Sequence, residues 1–221
     1  MIPSRHRLCG LYAITDATLQ RPDQLTEHVM QAIDGGARLI QYRDKSSDAL
    51  FRLHQARELA EACRARQIPL IINDDMELAA ECGAQGVHLG KEDADPETAR
   101  RLLGDDAILG ISCYNQLSLA RRAAGMGADY IAFGRFFPSL TKPKAVQADI
   151  RLIRQARQEL ALPVAAIGGI TPLNAVTLID AGVDMLAVVQ GIFAQTDIRR
   201  AASAYAKLFQ PQSGKHAQRA L

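Results

Sequence analysis

The chain has 221 residues, 48% hydrophobic and 23% charged, with 16 glycines and 9 prolines; this is globular composition and excludes disordered, collagenous and disulfide-scaffold classes. Its 26 Lys and Arg against 24 Asp and Glu leave a net charge of +2, and with 5% aromatic residues and no Trp it offers no basic, aromatic-studded stripe for nucleic acid. No apolar run approaches the roughly 18 residues of a membrane helix, and MIPSRHRLCGLYAITD lacks the apolar core and cleavage site of a secretion signal, so a cytoplasmic protein without membrane or nucleic-acid partners is expected.

Taken in chain order, eight short aliphatic or β-branched runs predict strands at 11–16, 39–43, 69–74, 86–90, 108–112, 130–134, 164–168 and 185–189. Helix-period segments follow them at 24–35, 48–66, 76–83, 96–103, 116–127, 150–160, 171–182 and 197–209. Gly35, Gly83, Gly127 and Gly182 fall where a left-handed cap would close a helix. The phrases DGGARLIQ, AECGAQGVHL, GMGADYIAF and DAGVDMLAV repeat one pattern of helix end, cap and strand. Eight βα units in about 210 residues predict a single-domain (β/α)8 TIM barrel. A doubly wound sheet would carry a glycine-rich turn after its first strand, whereas TDATLQRP has no glycine. Residues 1–10 are expected to form an N-terminal segment, 11–209 the barrel, and 210–221 a disordered tail.

Cys9, Cys63, Cys82 and Cys113 form no C-x-x-C pair, and His6, His28, His54, His88 and His216 form no H-x-x-x-H pair. Both absences argue against a transition-metal site, and the cysteines read as reduced thiols. Because barrel active sites lie at the strand carboxyl ends, the polar residues there are the candidates. Alternation sends Gln41 and Arg43 to one side, opposite Ile40 and Tyr42, with Lys45 just beyond. A solvated loop with an Arg–Asp surface pair explains QYRDK equally well, and a lysine past a strand suits a Schiff base. Asn73-Asp74-Asp75 ends the third strand, and Asp93 follows the fourth. Asp74 and Asp93 make a carboxylate pair suited to Mg²⁺ bound jointly with phosphates, while Asp75 reads as a helix cap.

Ile167-Gly168-Gly169-Ile170-Thr171, opening a helix, and Val189-Gln190-Gly191 after the last strand suit the two halves of a phosphate cradle. The loop from Gly134 through Ser139, Thr141, Lys142 and Lys144 reads as a lid or as a mobile solvated loop. Ser112, Cys113, Tyr114 and Asn115 are candidates for the mouth, and His88 is expected to be a satisfied interior histidine.

The ordered motifs YAITD, QYRDK, NDD, GVHLG-x-ED, GISC, GRFFPS-x-TK, IGGIT and VVQGIF, spanning Leu11 to Phe209, resemble the thiamine-phosphate synthase family. The resemblance implies a (β/α)8 barrel that uses Mg²⁺ to join 4-amino-5-hydroxymethyl-2-methylpyrimidine pyrophosphate to hydroxyethylthiazole phosphate, releasing pyrophosphate by a dissociative displacement. It implies that Gln41, Arg43, Lys45, Asn73, Ser112 and Lys142 contact the pyrimidine pyrophosphate, with Arg43, Lys45, Ser112 and Lys142 catalytic. Asp74 and Asp93 become the Mg²⁺ ligands, and Ser139, Thr141, Gly169, Val189 and Gln190 the thiazole-phosphate contacts. Three positions depart from the family pattern: Arg135 stands where the loop usually has proline, Ser139 replaces a threonine, and Gln190 replaces a common serine. A thiazole tautomerase of the same fold, a Schiff-base aldolase using Lys45 and a non-catalytic phosphate-binding barrel are the alternatives. The first lacks the pyrophosphate and metal residues present here.

Overall fold

The computed structural model describes residues 8–90, 93, 95–138 and 146–210. Eight parallel strands close into a barrel in sequence order. They are β1 (Gly10–Ile14), β2 (Ala37–Tyr42), β3 (Leu70–Asn73), β4 (Gly86–Leu89), β5 (Ile108–Tyr114), β6 (Tyr130–Gly134), β7 (Val164–Ile167) and β8 (Met185–Val188). The outer helices are α1 (Leu25–Asp34), α2 (Ala49–Ala65), α3 (Met76–Cys82), α4 (Pro96–Leu103), α5 (Leu117–Gly125), α6 (Arg151–Glu159), α7 (Pro172–Asp180), a short α8 (Gln190–Phe193) and α9 (Ile198–Ala206). Among the described residues no helix is long and apolar enough to cross a membrane.

Every expected strand and helix is present, with ends that agree to within two residues except at α9, which stops three residues early at Ala206 and gives way to a 3₁₀ turn at Lys207–Phe209. Two elements were not anticipated: a 3₁₀ turn at Pro22–Gln24 and the four-residue α8. Of the four expected glycine caps, Gly35 is a correction. Its φ of −77° is right-handed, and Gly36 takes the left-handed turn at +103°. Gly35 is small for another reason, since a Cβ there would lie 2.5 Å from the Arg199 carbonyl and 2.6 Å from Ala202 Cβ, where α9 crosses.

Strand alternation divides the apolar residues into two bodies. Leu11, Ile40, Leu70, Ile72, Leu109 and Ile131 face outward and pack under the helices against Leu59, Ala156 and Leu178. Leu39, Ile71, Ala165 and Met185 fill the barrel interior. Each fully buried Leu or Ile contributes about 1.5–3 kcal/mol relative to exposure. Most helix starts are capped: Asp48, Asp75, Asp95 and Asp197 each accept a backbone N–H, and Thr171 forms a capping box with Asn174. Such caps are worth about 1 kcal/mol each.

The repeated sequence phrase has a structural basis at the amino end of the barrel. The residue just before each of β4, β6 and β8 clips the preceding strand twice, once through its backbone and once through its side chain. Gln85 N–H donates to the Leu70 carbonyl at 2.9 Å, and Leu70 N–H donates to Gln85 Oε1 at 2.9 Å. Asp129 does the same to Leu109 at 2.8 and 2.8 Å, and Asp184 to Val164 at 2.9 and 2.8 Å. Arg100 backs Asp129 at 2.8 Å, and Arg157 backs Asp184 at 3.1 Å.

Candidate active site

At the carboxyl ends of the strands lies a cavity of about 800 Å³. Gln41 and Arg43 both line it, whereas the Tyr42 hydroxyl points the other way and donates to Gln55 Oε1 on α2 at 3.0 Å. Arg43 Nη1 lies 3.8 Å from Asp16 Oδ2, just past the end of β1. The solvated surface pair weighed for QYRDK is therefore a correction: Arg43 pairs with the buried Asp16, not with its neighbour Asp44, whose carboxylate accepts the Ser46 N–H at 2.7 Å.

Asn73 and Asp74 end β3 in the cavity wall, and Asp93 reaches the same wall from beyond β4. The two carboxyl groups are hydrogen-bonded to one another. Burial pushes the Asp93 carboxyl up, and the hydrogen bond with Asp74 and its negative charge push it further. Burial acts in the same direction on Asp74, but the hydrogen bond from Asp93 and the Lys45 ammonium outweigh it and hold Asp74 below the ordinary carboxylate range. Lys45 Nζ stands 3.0 Å from Asp74 Oδ2, and Gly90 N–H donates to Asp93 Oδ2 at 2.5 Å. Asp74 has a left-handed φ of +66°, a conformation that costs a non-glycine residue of order 1 kcal/mol and recurs at functional sites. Asp75 caps α3 by accepting the Leu78 N–H at 2.9 Å. Among the described residues no cluster of three or more His, Cys, Asp or Glu side chains gathers. Two hard carboxylates next to open cavity match a cation that keeps its remaining ligands for water and phosphate.

Across the cavity, Gly168 and Gly169 turn with φ of +102° and +63° into α7. A Cβ on Gly169 would lie 2.2 Å from the Pro138 carbonyl, and one on Gly168 2.3 Å from Arg135 Cβ, so the β6 and β7 loops pack backbone to backbone. The first N–H groups of a helix lack intrahelical acceptors, and the starts of α7 and α8, at Thr171 and Val189-Gln190, both border the cavity. Tyr205 on α9 fixes this side from below. Its hydroxyl donates to the Ile170 carbonyl at 3.0 Å, and a Cβ on Gly191 would come within 2.1 Å of it.

Ser112 lines the cavity beside His88, whose Nε2 is 2.9 Å from Ser112 Oγ and whose Nδ1 is 2.9 Å from the Tyr130 hydroxyl. His88 is thus an interior histidine with both nitrogens bonded, and it is also part of the cavity wall. Tyr114 reaches the mouth, but Cys113 is a correction: it is fully buried in the outward-facing core, because β5 alternation turns it away. Ser139, Thr141, Lys142 and Lys144 lie outside the described residues, as do Lys91 and Glu92. The sequence reading missed Tyr12 in the cavity wall and Tyr130 buried against it, and Arg135, singled out only as a departure from the family pattern, also lines the cavity. The tyrosines stand in apolar strand runs and look like core, and only their shared alternation parity with Gln41 and Ser112 carried a signal.

Fold and site together define a (β/α)8-barrel enzyme whose mouth sets a carboxylate pair and cations opposite two glycine-bordered helix starts. A family model described as thiamine monophosphate synthase matches residues 11–192. A Nitrosococcus oceani protein named thiamine-phosphate synthase is 53% identical over 200 residues, covering 90% of this chain and 92% of its own. Another of that name from Thiobacillus denitrificans is 52% identical, with 90% and 94% covered. A solved thiamine phosphate pyrophosphorylase from Pyrococcus furiosus superposes with a TM-score of 0.82 at 31% identity, covering 91% of this chain and 96% of that one. The chain belongs to the thiamine monophosphate synthase family.

Proposed function

We propose that this chain joins 4-amino-5-hydroxymethyl-2-methylpyrimidine pyrophosphate to hydroxyethylthiazole phosphate, forming thiamine phosphate and pyrophosphate. The observation that carries the reading is the contact between the Asp74 and Asp93 carboxyl groups beside Lys45, in the same cavity as the starts of α7 and α8. A tautomerase acting only on a thiazole phosphate has no use for that half of the cavity, and the curated relatives are named as synthases.

The donor set fits Mg²⁺. Two carboxyl groups in contact would be held together by a hard dication between them, and two protein ligands suit an ion that completes its shell with water and phosphate oxygens. When bound, Mg²⁺ neutralises charge on the departing pyrophosphate. Arg43 and Lys45 supply fixed positive charge to the same oxygens in a partly water-excluded cavity, where such charge is worth more than in bulk water. Asn73 and Ser112 donate hydrogen bonds there, and Gln41 orients the pyrimidine. Lys142 is assigned to this group by its motif. Gly169, Val189 and Gln190 offer backbone N–H groups to the thiazole phosphate, joined by the Ser139 and Thr141 hydroxyls. As the C–O bond to pyrophosphate breaks, the electron pair leaves with oxygen and the methylene carbon becomes cationic, stabilised by the aminopyrimidine. The thiazole nitrogen then forms the new C–N bond. No protein nucleophile is required, in keeping with His88 and Ser112 being engaged with one another.

Pyrophosphate release is measured with each substrate alone and with both, with and without Mg²⁺. Release that requires both substrates and the metal is expected. An inert protein under those conditions overturns the reading.

A further inference from the structure

Five side chains from five strands form a continuous hydrogen-bonded line across the cavity floor. Gln41 Nε2 donates to the Tyr12 hydroxyl oxygen at 2.6 Å, and Tyr12 and Tyr130 hydroxyls meet at 2.8 Å. Tyr130 then meets His88 Nδ1 at 2.9 Å, and His88 Nε2 meets Ser112 Oγ at 2.9 Å. Taken singly, the last three contacts can run in either direction.

Taken together they run in one. An amide nitrogen only donates, so the Tyr12 oxygen is already an acceptor and its own proton needs another. The acceptor within reach is the Tyr130 oxygen. The Tyr130 proton is then directed at His88 Nδ1, and a ring nitrogen that accepts carries no proton, so the imidazole proton sits on Nε2 and is donated to Ser112 Oγ. With that oxygen accepting from His88, the serine's own proton is left for the cavity. The reverse polarity would aim both Gln41 and Tyr130 at the Tyr12 oxygen and leave the Tyr12 hydroxyl proton without an acceptor, in a residue 1% exposed. A buried donor left unpaired is among the costlier defects in a fold. Burial raises both tyrosines above their ordinary value, so they stay neutral and keep the protons the line requires. Ring packing holds the participants in place: Tyr12 meets Tyr130 edge-on at 5.9 Å, and Tyr130 stacks on His88 at 5.6 Å.

We propose that this one-directional line fixes His88 as the Nε2–H tautomer and thereby makes Ser112 an obligatory hydrogen-bond donor to the substrate. Tyr12, Tyr130 and His88 are positioning residues that act through Ser112. The functional half rests on the reading that Ser112 contacts the pyrimidine pyrophosphate; the polarity itself does not.

The test is nitrogen NMR on the full chain labelled at histidine, with the His88 signals assigned by their loss in His88→Gln. A pyrrole-type Nε2 and a pyridine-type Nδ1 are expected; the opposite tautomer, or an imidazolium, overturns the proposal. Tyr130→Phe keeps the ring but removes the donor to Nδ1, and should give a tautomer mixture. It should also lower kcat about tenfold, the order expected for one hydrogen bond to a charged group, with KM changed less than about twofold. In a Ser112→Ala background the same change should have no further effect, because its route to substrate is gone; multiplying effects in the double variant overturn the assigned route. Wild-type kcat/KM in Ser112→Ala, with the Nε2–H tautomer still observed, would overturn the substrate contact and the use of the line while leaving its direction intact. The wild-type spectrum decides the polarity even if Tyr130→Phe fails to fold.

Discussion

Gly110 on β5 is paired with His88 on β4 and with Tyr130 on β6, and its missing side chain is what lets the Tyr130 ring lean across β5 to reach His88. A Cβ at Gly110 would lie 2.0 Å from Tyr130 Cζ, 2.2 Å from its hydroxyl oxygen and 2.4 Å from Cε1. Real contacts of that length do not exist, so the ring must move. Gly110→Ala introduces no strained backbone, since Gly110 is not among the positive-φ glycines, and its cost is therefore steric and polar. Overpacking of a closed interior costs about 1–3 kcal/mol. Displacing the Tyr130 hydroxyl from Tyr12 and His88 adds about 1 kcal/mol for each hydrogen bond lost. The expected destabilisation is about 3–5 kcal/mol, a large share of the roughly 5–15 kcal/mol that holds a domain folded. In a chain of this size that lowers Tm by about 6–20 °C, at 2–4 °C per kcal/mol. Thermal or urea unfolding of the purified variant measures it. Tyr130→Ala removes the ring that the new methyl would strike, and in that background Gly110→Ala should cost less than about 1 kcal/mol. If Gly110→Ala alone unfolds within about 1 kcal/mol of the parent, or if the two changes simply add, the ring does not depend on that space and the reasoning fails.

Asp93→Asn keeps a donor for Asp74 but removes one carboxylate, so unfolding should change by no more than about 0.5 kcal/mol. The Mg²⁺ concentration for half-maximal pyrophosphate release should meanwhile rise at least about tenfold, equivalent to 1.4 kcal/mol of cation affinity. An unchanged Mg²⁺ midpoint would remove Asp93 from the metal assignment. Asp129→Ala leaves the Leu109 N–H without its acceptor and Arg100 without its carboxylate, and should destabilise by about 2–4 kcal/mol in urea unfolding while kcat of the folded fraction stays within about twofold; a loss under 1 kcal/mol would refute the clip. Burial pushes the Cys63 and Cys113 thiols up to about 12 and raises Cys82 as well, whereas Cys9 is exposed. A thiol reagent at pH 8 should therefore modify one cysteine in the native protein and four after denaturation, and rapid native modification of a second would contradict the burial.

Strand and helix positions were legible because the repeat writes period-2 and period-3.6 patterns separately and marks the joints with glycine. The phrase repeated at Gly36, Gln85, Asp129 and Asp184 was visible as a repeat, but its meaning was not. That three of these residues clip the preceding strand depends on which backbone lies alongside, and Gly36 has no side chain with which to do so. The polar half of the site was legible for a similar reason: in a barrel, Gln41, Arg43, Asn73, Asp74 and Ser112 have one face available at the strand ends. The tyrosine floor was not, because Tyr12 and Tyr130 sit among Leu, Ile and Ala, where a phenol ring and a core side chain look alike. The α8 turn escaped because four residues are too few to show a helical period. Gly35 and Gly36 could not be told apart, since adjacent glycines serve equally well as the left-handed residue and as the one a neighbouring helix needs small.

The two ends of the barrel are built on opposite principles, and the contrast explains how the mouth tolerates its costs. At the amino end the charged residues Asp129 and Asp184 are each bonded to a strand N–H and to an arginine, so burial of their charge is offset where it occurs. At the carboxyl end Asp74 and Asp93 face each other, and Asp74 and Tyr114 hold left-handed φ values of +66° and +54°. Such conformations cost about 1–3 kcal/mol each when occupied by non-glycine residues, and two carboxylates in contact bind a proton or a cation to remain together. Lys45 offsets part of the charge on Asp74 and the Gly90 N–H part of that on Asp93; the rest is carried by the strands beneath, whose Ile71, Ile72, Leu109 and Ile131 are sealed from solvent. Weakening an amino-end clip should therefore lower Tm and leave the chemistry of the folded molecules alone. Neutralising Asp93, whose carboxyl is pushed up by burial and by Asp74, should do the reverse, because the fold gains little from a charge there until phosphate and metal arrive to use it.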